Sequence, residues 1–432
     1  MSDKTEPLKV ALIGAGTVGS EVAKLLLTQR EEFAQRAGRE IELAGVAVRN
    51  ASKERPGIPS ELLTEDTVGL VSRDDIDIVV ELMGGVEQTK SLVMKAIEGG
   101  KSVVTGNKAL LSTYGDEIFA ASDKAGVDVY FEAAVAGAIP IIRPLRDSLV
   151  GDTITKVAGI VNGTTNYILD KMTTEGMEYQ TALKQAQELG YAEEDPTADV
   201  GGADAAAKAA ILASLAFRTP VGISDVYCEG VTKITQTEIS AAKSANCVVK
   251  LLAMAELING EVHVRVHPVM LSKSHPLASI AGAYNAIMVE AESADKLMFM
   301  GPGAGGAPTA SAVVGDLVTV ARNKVAGISQ PVLAGFKKLP LANMDSTRCH
   351  YHLTLDVTDQ AGVLASVAAT LAKHNVSVYS LEQTAGNGSS GNHATVGLMT
   401  HEAVEADIRA CMKELRDSEF VSNDISFIRV GS

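Results

Sequence analysis

Hydrophobic positions along the first 150 residues alternate between short apolar runs and longer stretches with helical spacing. Lys9-Val-Ala-Leu-Ile13 reads as a buried strand, runs into Gly14-Ala-Gly16-Thr-Val-Gly19, and is followed by a helical stretch over residues 20–36. Further strands are expected at residues 41–48, at Ile76-Asp-Ile-Val-Val-Glu-Leu82, at Ser102-Val-Val-Thr105 before Gly106-Asn107-Lys108, and at Val127-Asp-Val-Tyr-Phe-Glu132. Apolar strands separated by helical patterns predict a parallel sheet covered by helices. In such a sheet ligands bind beyond the carboxyl ends of the strands, which gathers Glu81, Asn107, Lys108 and Glu132 around one crevice.

From about residue 151 the pattern changes. Thr155-Lys-Val-Ala-Gly-Ile-Val161 reads as a strand, and Asn162-Gly-Thr-Thr-Asn166 as a turn that caps a helix from Tyr167 onward or touches a polar substrate. Val262-His-Val-Arg-Val-His267 alternates with period two, which predicts valines inward and His263, Arg265 and His267 on a solvated face. Gly301-Pro-Gly-Ala-Gly-Gly306 opens a helical run over residues 309–324 that is expected to return to the first domain, its glycines lying against a cofactor or easing the passage of the chain. Pro331, Gly335 and Pro340 mark a linker. The remainder reads as strand 350–358, a helix to His374, strand 376–383, a glycine-rich hairpin at 386–392, strand 394–400, helix 403–415 and strand 425–430. That order, βαββαβ, is ferredoxin-like. The domains are therefore 1–150, completed by 303–328, then 151–302, a linker over 329–345, and 346–432.

Bulk properties narrow the partners. The chain has 432 residues, 46% of them apolar, enough for two or three domains with sizeable cores. A net charge of -15 argues against nucleic acid or an anionic membrane as partner. Cys228, Cys247, Cys349 and Cys411 lie far apart, so neither a zinc site nor a disulfide framework is indicated. The opening residues have no apolar signal core and no long uncharged apolar run follows, from which a cytoplasmic protein is expected.

Chemistry enters at two places. Strand, glycine turn and helix in that order are the context of a dinucleotide fingerprint, because glycines let the backbone approach a pyrophosphate at a helix N-terminus. Beyond the second strand, where an NAD site usually has an acidic residue, stand Arg49 and Asn50, with Lys53 and Arg55 behind. Positive charge there suits a 2′-phosphate and favours NADP, unless Arg49 is a solvated turn residue. Later, residues 190–208 set four carboxylates, Glu193, Glu194, Asp195 and Asp199, in a turn-rich loop before an alanine-rich helix carrying Asp204 and Lys208. Four residues apart, that pair shares one face. A helix apolar all round is buried, and a buried lysine beside a carboxylate is either a structural ion pair or a proton donor. All eight histidines fall at or after His263, so lysine is the better acid/base candidate, with Lys208 and Lys108 the obvious pair. Glu132, before a small-residue loop, could join carbonyl oxygens around a hard cation or serve as a cap.

These motifs resemble the homoserine dehydrogenase family over essentially the whole chain. Val157-Ala-Gly-Ile-Val-Asn-Gly-Thr-Thr-Asn-Tyr-Ile-Leu169, residues 190–208, and Gly303-Ala-Gly-Gly-Ala-Pro-Thr-Ala-Ser-Ala312 carry the likeness, and Asp359-Gln-Ala-Gly-Val-Leu364 resembles the opening of an ACT domain, an amino-acid-binding regulatory module. No kinase region precedes them, so the fused aspartokinase form is not expected. The resemblance implies an α/β fold: a Rossmann dinucleotide-binding domain, an α+β catalytic and dimerisation domain, and a C-terminal ferredoxin-like ACT domain. It implies reversible hydride transfer between L-homoserine and L-aspartate 4-semialdehyde with NAD(P), L-threonine as feedback effector, and a homodimer or homotetramer. Lys208 is then the proton donor, Lys108 touches cofactor and substrate, and Glu193, Asp204, Asp199, Thr164 and Tyr191 surround the substrate. The cofactor falls to Gly14, Gly16, Thr17, Val18, Gly19, Arg49, Lys108, Gly190, Gly303, Gly305 and Gly306. A sodium ion falls to Glu132 with the backbone oxygens of Val135, Gly137 and Ile139. Two other readings stay open: another ACT-bearing dehydrogenase, disfavoured by the missing core histidine, and a non-catalytic sensor of NADP and an amino acid.

Overall fold

The computed structural model describes residues 6–333, 335–385 and 393–431; the hairpin expected at 386–392 lies outside them. The chain forms two compact units. The first comprises residues up to 157 with 207–226 and 285–339; the second comprises 158–206, 227–284 and 340 onward.

In the first unit six parallel strands, β1 (Leu8–Ile13), β2 (Ile41–Ala47), β3 (Leu63–Thr64), β4 (Ile78–Glu81), β5 (Ser102–Thr105) and β6 (Val129–Tyr130), lie in the order β3-β2-β1-β4-β5-β6. Strands β1, β4 and β5 carry almost unbroken apolar runs because helices cover both faces of a parallel sheet. One of those helices is Gly306–Ala326, whose Ala310, Val313, Leu317 and Ala321 join Val10, Leu12, Val80 and Val104 in a single core. Order reverses at β1, whose Ile13 pairs with Ala47 on one side and Glu81 on the other. That reversal opens the crevice where doubly wound sheets bind ligands.

Several boundaries differ from expectation. The helix expected over 20–36 is two helices, Thr17–Thr28 and Arg30–Ala37, because Gln29 leaves the helical region at φ -119. The strand expected over 127–132 shrinks to Val129–Tyr130, and Glu132 instead opens a 3-10 turn, Glu132–Ala134. Asn162, rather than a residue nearer Tyr167, caps the next helix, Gly163–Thr174: its Oδ1 accepts from the Thr165 amide at 2.9 Å, so Thr164 and Thr165 lie in the first turn.

The second unit contains the hairpin Cys247–Ile258 and Glu261–Ser272, paired antiparallel from end to end. Asn259 and Gly260, at φ 52 and 82, supply the two left-handed residues that a two-residue hairpin turn requires. His263, Arg265 and His267 are buried on this hairpin, only 8%, 8% and 2% exposed, which corrects the solvated face inferred from alternation. Their strand is covered on both sides, as Val262, Val264 and Val266 are buried too. Burial, with Arg429 and Arg265 nearby, holds the His267 pKa well below its ordinary value. The C-terminal strands Arg348–Thr358, Val378–Ala385, His393–Thr400 and Val421–Gly431 pair antiparallel in the order fourth, first, third, second. The helices Val363–Lys373 and Glu405–Arg416 pack with them into one core, the ferredoxin-like arrangement expected.

Candidate active site

The glycine turn after β1 is built for close approach. Gly14 sits at φ +95, and a Cβ there would meet the Leu82 carbonyl oxygen at 2.7 Å; one on Gly19 would stand 2.0 Å from the Gly14 oxygen. Only hydrogen fits at either position. Gly16 has open space around it and caps Thr17–Thr28 beside the exposed Thr17, so no capping side chain takes up the first backbone N–H groups of that helix. An anion such as a pyrophosphate meets those donors favourably. Val18 packs against the core. Gly306 lies against the same turn, where a Cβ would stand 3.0 Å from the Thr17 oxygen. Gly305 adopts φ +120, a backbone that glycine alone adopts readily. Arg49, just past β2, is exposed. Its loop is stapled by Asn50, whose Oδ1 accepts from the Ser52 and Lys53 amides, and by Arg55, which donates to the Asn50 and Lys53 carbonyls.

At the carboxyl ends of β4 and β5, the fully buried Glu81 accepts from the Thr105 hydroxyl at 2.6 Å and the Met83 amide at 2.9 Å. Burial pushes its carboxyl upward. Asn107 caps the helix Lys108–Ala125 and donates to the Gly85 carbonyl, which sets Lys108, partly buried, at the first helical position. Glu132 is 4% exposed, and its carboxylate accepts from the backbone amides of Ile141, Ile142 and Arg143 at 2.6, 2.7 and 3.0 Å. Its own amide donates to Asp316, which Arg143 grips through Nε and Nη2. Burial raises the Asp316 carboxyl to about 6 against the pull of Arg143. The loop after Glu132 turns through two successive left-handed residues, Ala136 and Gly137, both at φ 56, and Gly137 packs on Gly303. Val135, Gly137 and Ile139 belong to that loop. Among the described residues no group of three or more His, Cys, Asp and Glu side chains could hold a metal. A cation here would rest on one fixed carboxylate and backbone oxygens, a donor set that fits a hard ion.

In the second unit the carboxylate loop closes on an amide. Asn162 Nδ2 donates to Asp199 at 2.7 Å and to Asp204 at 2.9 Å. The Asn162 orientation follows from chemistry: carboxylates accept only, so they take the NH2 edge, and the Thr165 amide takes the oxygen. Thr164, 6% exposed, donates to the Tyr191 carbonyl and lies 3.5 Å from Asp199. Tyr191 itself is 47% exposed, and its ring lies against Tyr167. Glu193 is exposed on the same loop, and its carbonyl accepts from Gln187. Gly190, at φ +77, ends the preceding helix with open space around it. The helix Ala203–Phe217 that follows is buried almost throughout, as its composition predicts, and Asp204 and Lys208 are each 8% exposed one turn apart along it.

Other contributors escaped the sequence reading. Lys250, 4% exposed on the hairpin, donates to Asn166 Oδ1 at 2.9 Å and to the Ile280 carbonyl at 2.6 Å. Asn166 in turn donates to the carbonyls of Ile280, Gly282 and Tyr284, so the pair fixes the loop against which the helix Gly163–Thr174 rests. Nothing local distinguishes Lys250 from a surface lysine, although Asn259-Gly260 was a legible hairpin signal. All four cysteines are free, and no helix among the described residues is long and apolar enough to cross a membrane.

Comparison with known proteins gives a consistent answer. A family profile described as "Homoserine dehydrogenase, NAD binding domain" matches residues 14–132, and one described as "Homoserine dehydrogenase" matches 140–318. The chain is 49% identical to a homoserine dehydrogenase of Mycobacterium tuberculosis over 100% of its own length and 99% of that protein's. A homoserine dehydrogenase structure from Thiobacillus denitrificans superposes with a TM-score of 0.94 at 38% identity, covering 99% of both chains. A hyperthermophilic archaeal homoserine dehydrogenase in complex with NADPH, 26% identical, superposes with a TM-score of 0.61 over 73% of this chain and 98% of that one.

Proposed function

The chain belongs to the homoserine dehydrogenase family and is an NAD(P)-dependent oxidoreductase acting on a CH–OH group, and from that premise we propose how its residues divide the work. L-Homoserine and L-aspartate 4-semialdehyde present an ammonium, a carboxylate and a C4 oxygen. Asp199 and Asp204, drawn together by Asn162, attract the ammonium, with Glu193 from the exposed loop and with Thr164 and Tyr191 as polar neighbours. Lys208 gives a proton to the C4 carbonyl oxygen during reduction and takes it from the hydroxyl during oxidation. Lys108 contacts both substrate and cofactor. The nicotinamide, when bound, supplies or accepts the hydride. The observation that carries this reading is the buried helix bearing Asp204 and Lys208 one turn apart, which sets a proton donor on the same face as a carboxylate assigned to the ammonium.

The turn Gly14 to Gly19, together with Gly303, Gly305 and Gly306, cradles the dinucleotide, and Arg49 favours NADP. The oxygen donors of Glu132, Val135, Gly137 and Ile139 suit a sodium ion. The ferredoxin-like C-terminal segment takes L-threonine as effector at the loop of Asp359, Gln360 and Gly362, which with Gln383 lines a pocket before the helix Val363–Lys373. Threonine titration of the activity checks that assignment. The assembly is a homodimer or homotetramer, which light scattering would measure.

The test follows nicotinamide absorbance while purified protein oxidises L-homoserine with NADP+ or NAD+. Lys208→Ala is expected to fold and to lose about 10²- to 10⁴-fold in turnover, as removal of a general acid/base does. Full activity in that variant would make Lys208 structural.

A further inference from the structure

Arg429, near the end of the last strand, is 3% exposed and divides its guanidinium between two carboxylates. Nε and Nη2 donate to Glu405, itself fully buried, and Nη1 donates at 2.8 Å to Glu229, 200 positions earlier. Tyr351 and Arg409 complete the shell around Glu405, and Tyr227 donates to Glu229 at 3.1 Å. Burying such a cluster is seldom worth its desolvation for stability alone, since apolar residues of similar volume do as well. Its geometry accomplishes something else: a rigid fork of donors ties the helix Glu405–Arg416 to the strap at residues 227–231.

The strap has no slack. Glu229 donates its amide to the Val266 carbonyl, and Val231 donates to the Val200 carbonyl, both at 2.8 Å. A Cβ on Gly230 would lie 2.1 Å from the Val200 oxygen and 2.6 Å from the Gly201 Cα, so backbone rests on backbone. Cys228 closes the other side, where a Cβ on Gly202 would stand 2.9 Å from its Sγ. Val200 to Gly202 lie in the span between Asp199 and Asp204. Displacement of Glu229 therefore moves the two carboxylates, because close-packed backbone transmits it rather than absorbing it.

We infer that Arg429 and Glu229 are positioning residues for substrate binding, holding the segment that carries Asp199 and Asp204. This rests on the reading that those carboxylates bind the substrate ammonium. Glu229 is half-exposed, so substitution there should leave the full-length protein folded. Glu229→Ala is expected to raise the KM for homoserine about 3- to 30-fold, the range of coupling carried by such contacts, with the KM for NADP+ and kcat nearly unchanged and Tm lowered by the Arg429 guanidinium left half-paired. Glu229→Gln, whose amide oxygen still accepts from Arg429, should restore most of the loss. An unchanged homoserine KM in Glu229→Ala, an equal rise in both KM values, or no rescue by glutamine would overturn the inference. Asp199→Asn and Asp204→Asn are run alongside. If neither raises the homoserine KM, the substrate reading itself falls and the inference with it; if they do and Glu229→Ala does not, the inference alone falls.

Discussion

Asn162 Nδ2 donates to Asp204 Oδ2 at 2.9 Å across 42 positions of sequence. The same amide holds Asp199 at 2.7 Å, so two carboxylates that would repel one another share a neutral donor. Serine at this position retains the helix cap but cannot reach both acids. Asn162→Ser is expected to lower the Tm, because two carboxylates lose a buried donor, and to raise the homoserine KM about 10- to 100-fold, the scale of losing hydrogen bonds to charged groups. Steady-state kinetics with each substrate varied separately checks this, and an unchanged homoserine KM would remove Asn162 from the site.

Arg49 stands exposed on a loop pinned by Asn50 and Arg55, so its backbone position is set before any ligand arrives. Arg49→Ala should therefore weaken NADP+ by about 10- to 100-fold through loss of a charge-assisted contact to the 2′-phosphate, while the KM for NAD+ stays within about twofold on the same reasoning. Equal losses with both cofactors would mean that Arg49 shapes the loop rather than reads the phosphate.

Lys250 supplies the pH dependence. Burial depresses its folded pKa to about 8, against an ordinary 10.5. Between those values the native chain binds fewer protons than the unfolded one, so this group's contribution to stability rises with pH across the window. Below about pH 8 both states carry the proton and the full cost of burying it remains. The difference in Tm between the parent and Lys250→Met is thus expected to shift in favour of the parent from pH 8 to 10. Thermal melts of both proteins across that range measure it; a difference independent of pH would show that Lys250 titrates normally.

Much of the site was legible locally. The fingerprint could be read because strand, glycines and helix are contiguous, and the structure explains the glycines at Gly14 and Gly19 by contacts that no side chain survives. Asp204 and Lys208 could be assigned to one face because helical spacing is a property of four residues. The ferredoxin-like order of the C-terminal strands followed from period and punctuation in the same way.

What failed was non-local. Alternation in Val262 to His267 reports two faces but not what covers them, and here both are covered. Asn162 read as part of a capping turn or as a substrate contact, and only the fold brings Asp199 and Asp204 to its amide. Lys250 and Arg429 carry no local signal of burial because their partners, Asn166 and Glu229, lie 84 and 200 positions away. By itself, then, the sequence determined the elements, the two units' strand patterns and the inventory of reactive groups, each encoded within a few residues by periodicity and backbone sterics. Only the tertiary structure decided which charges are buried and which acids share a donor, because burial and pairing depend on which distant segments pack together.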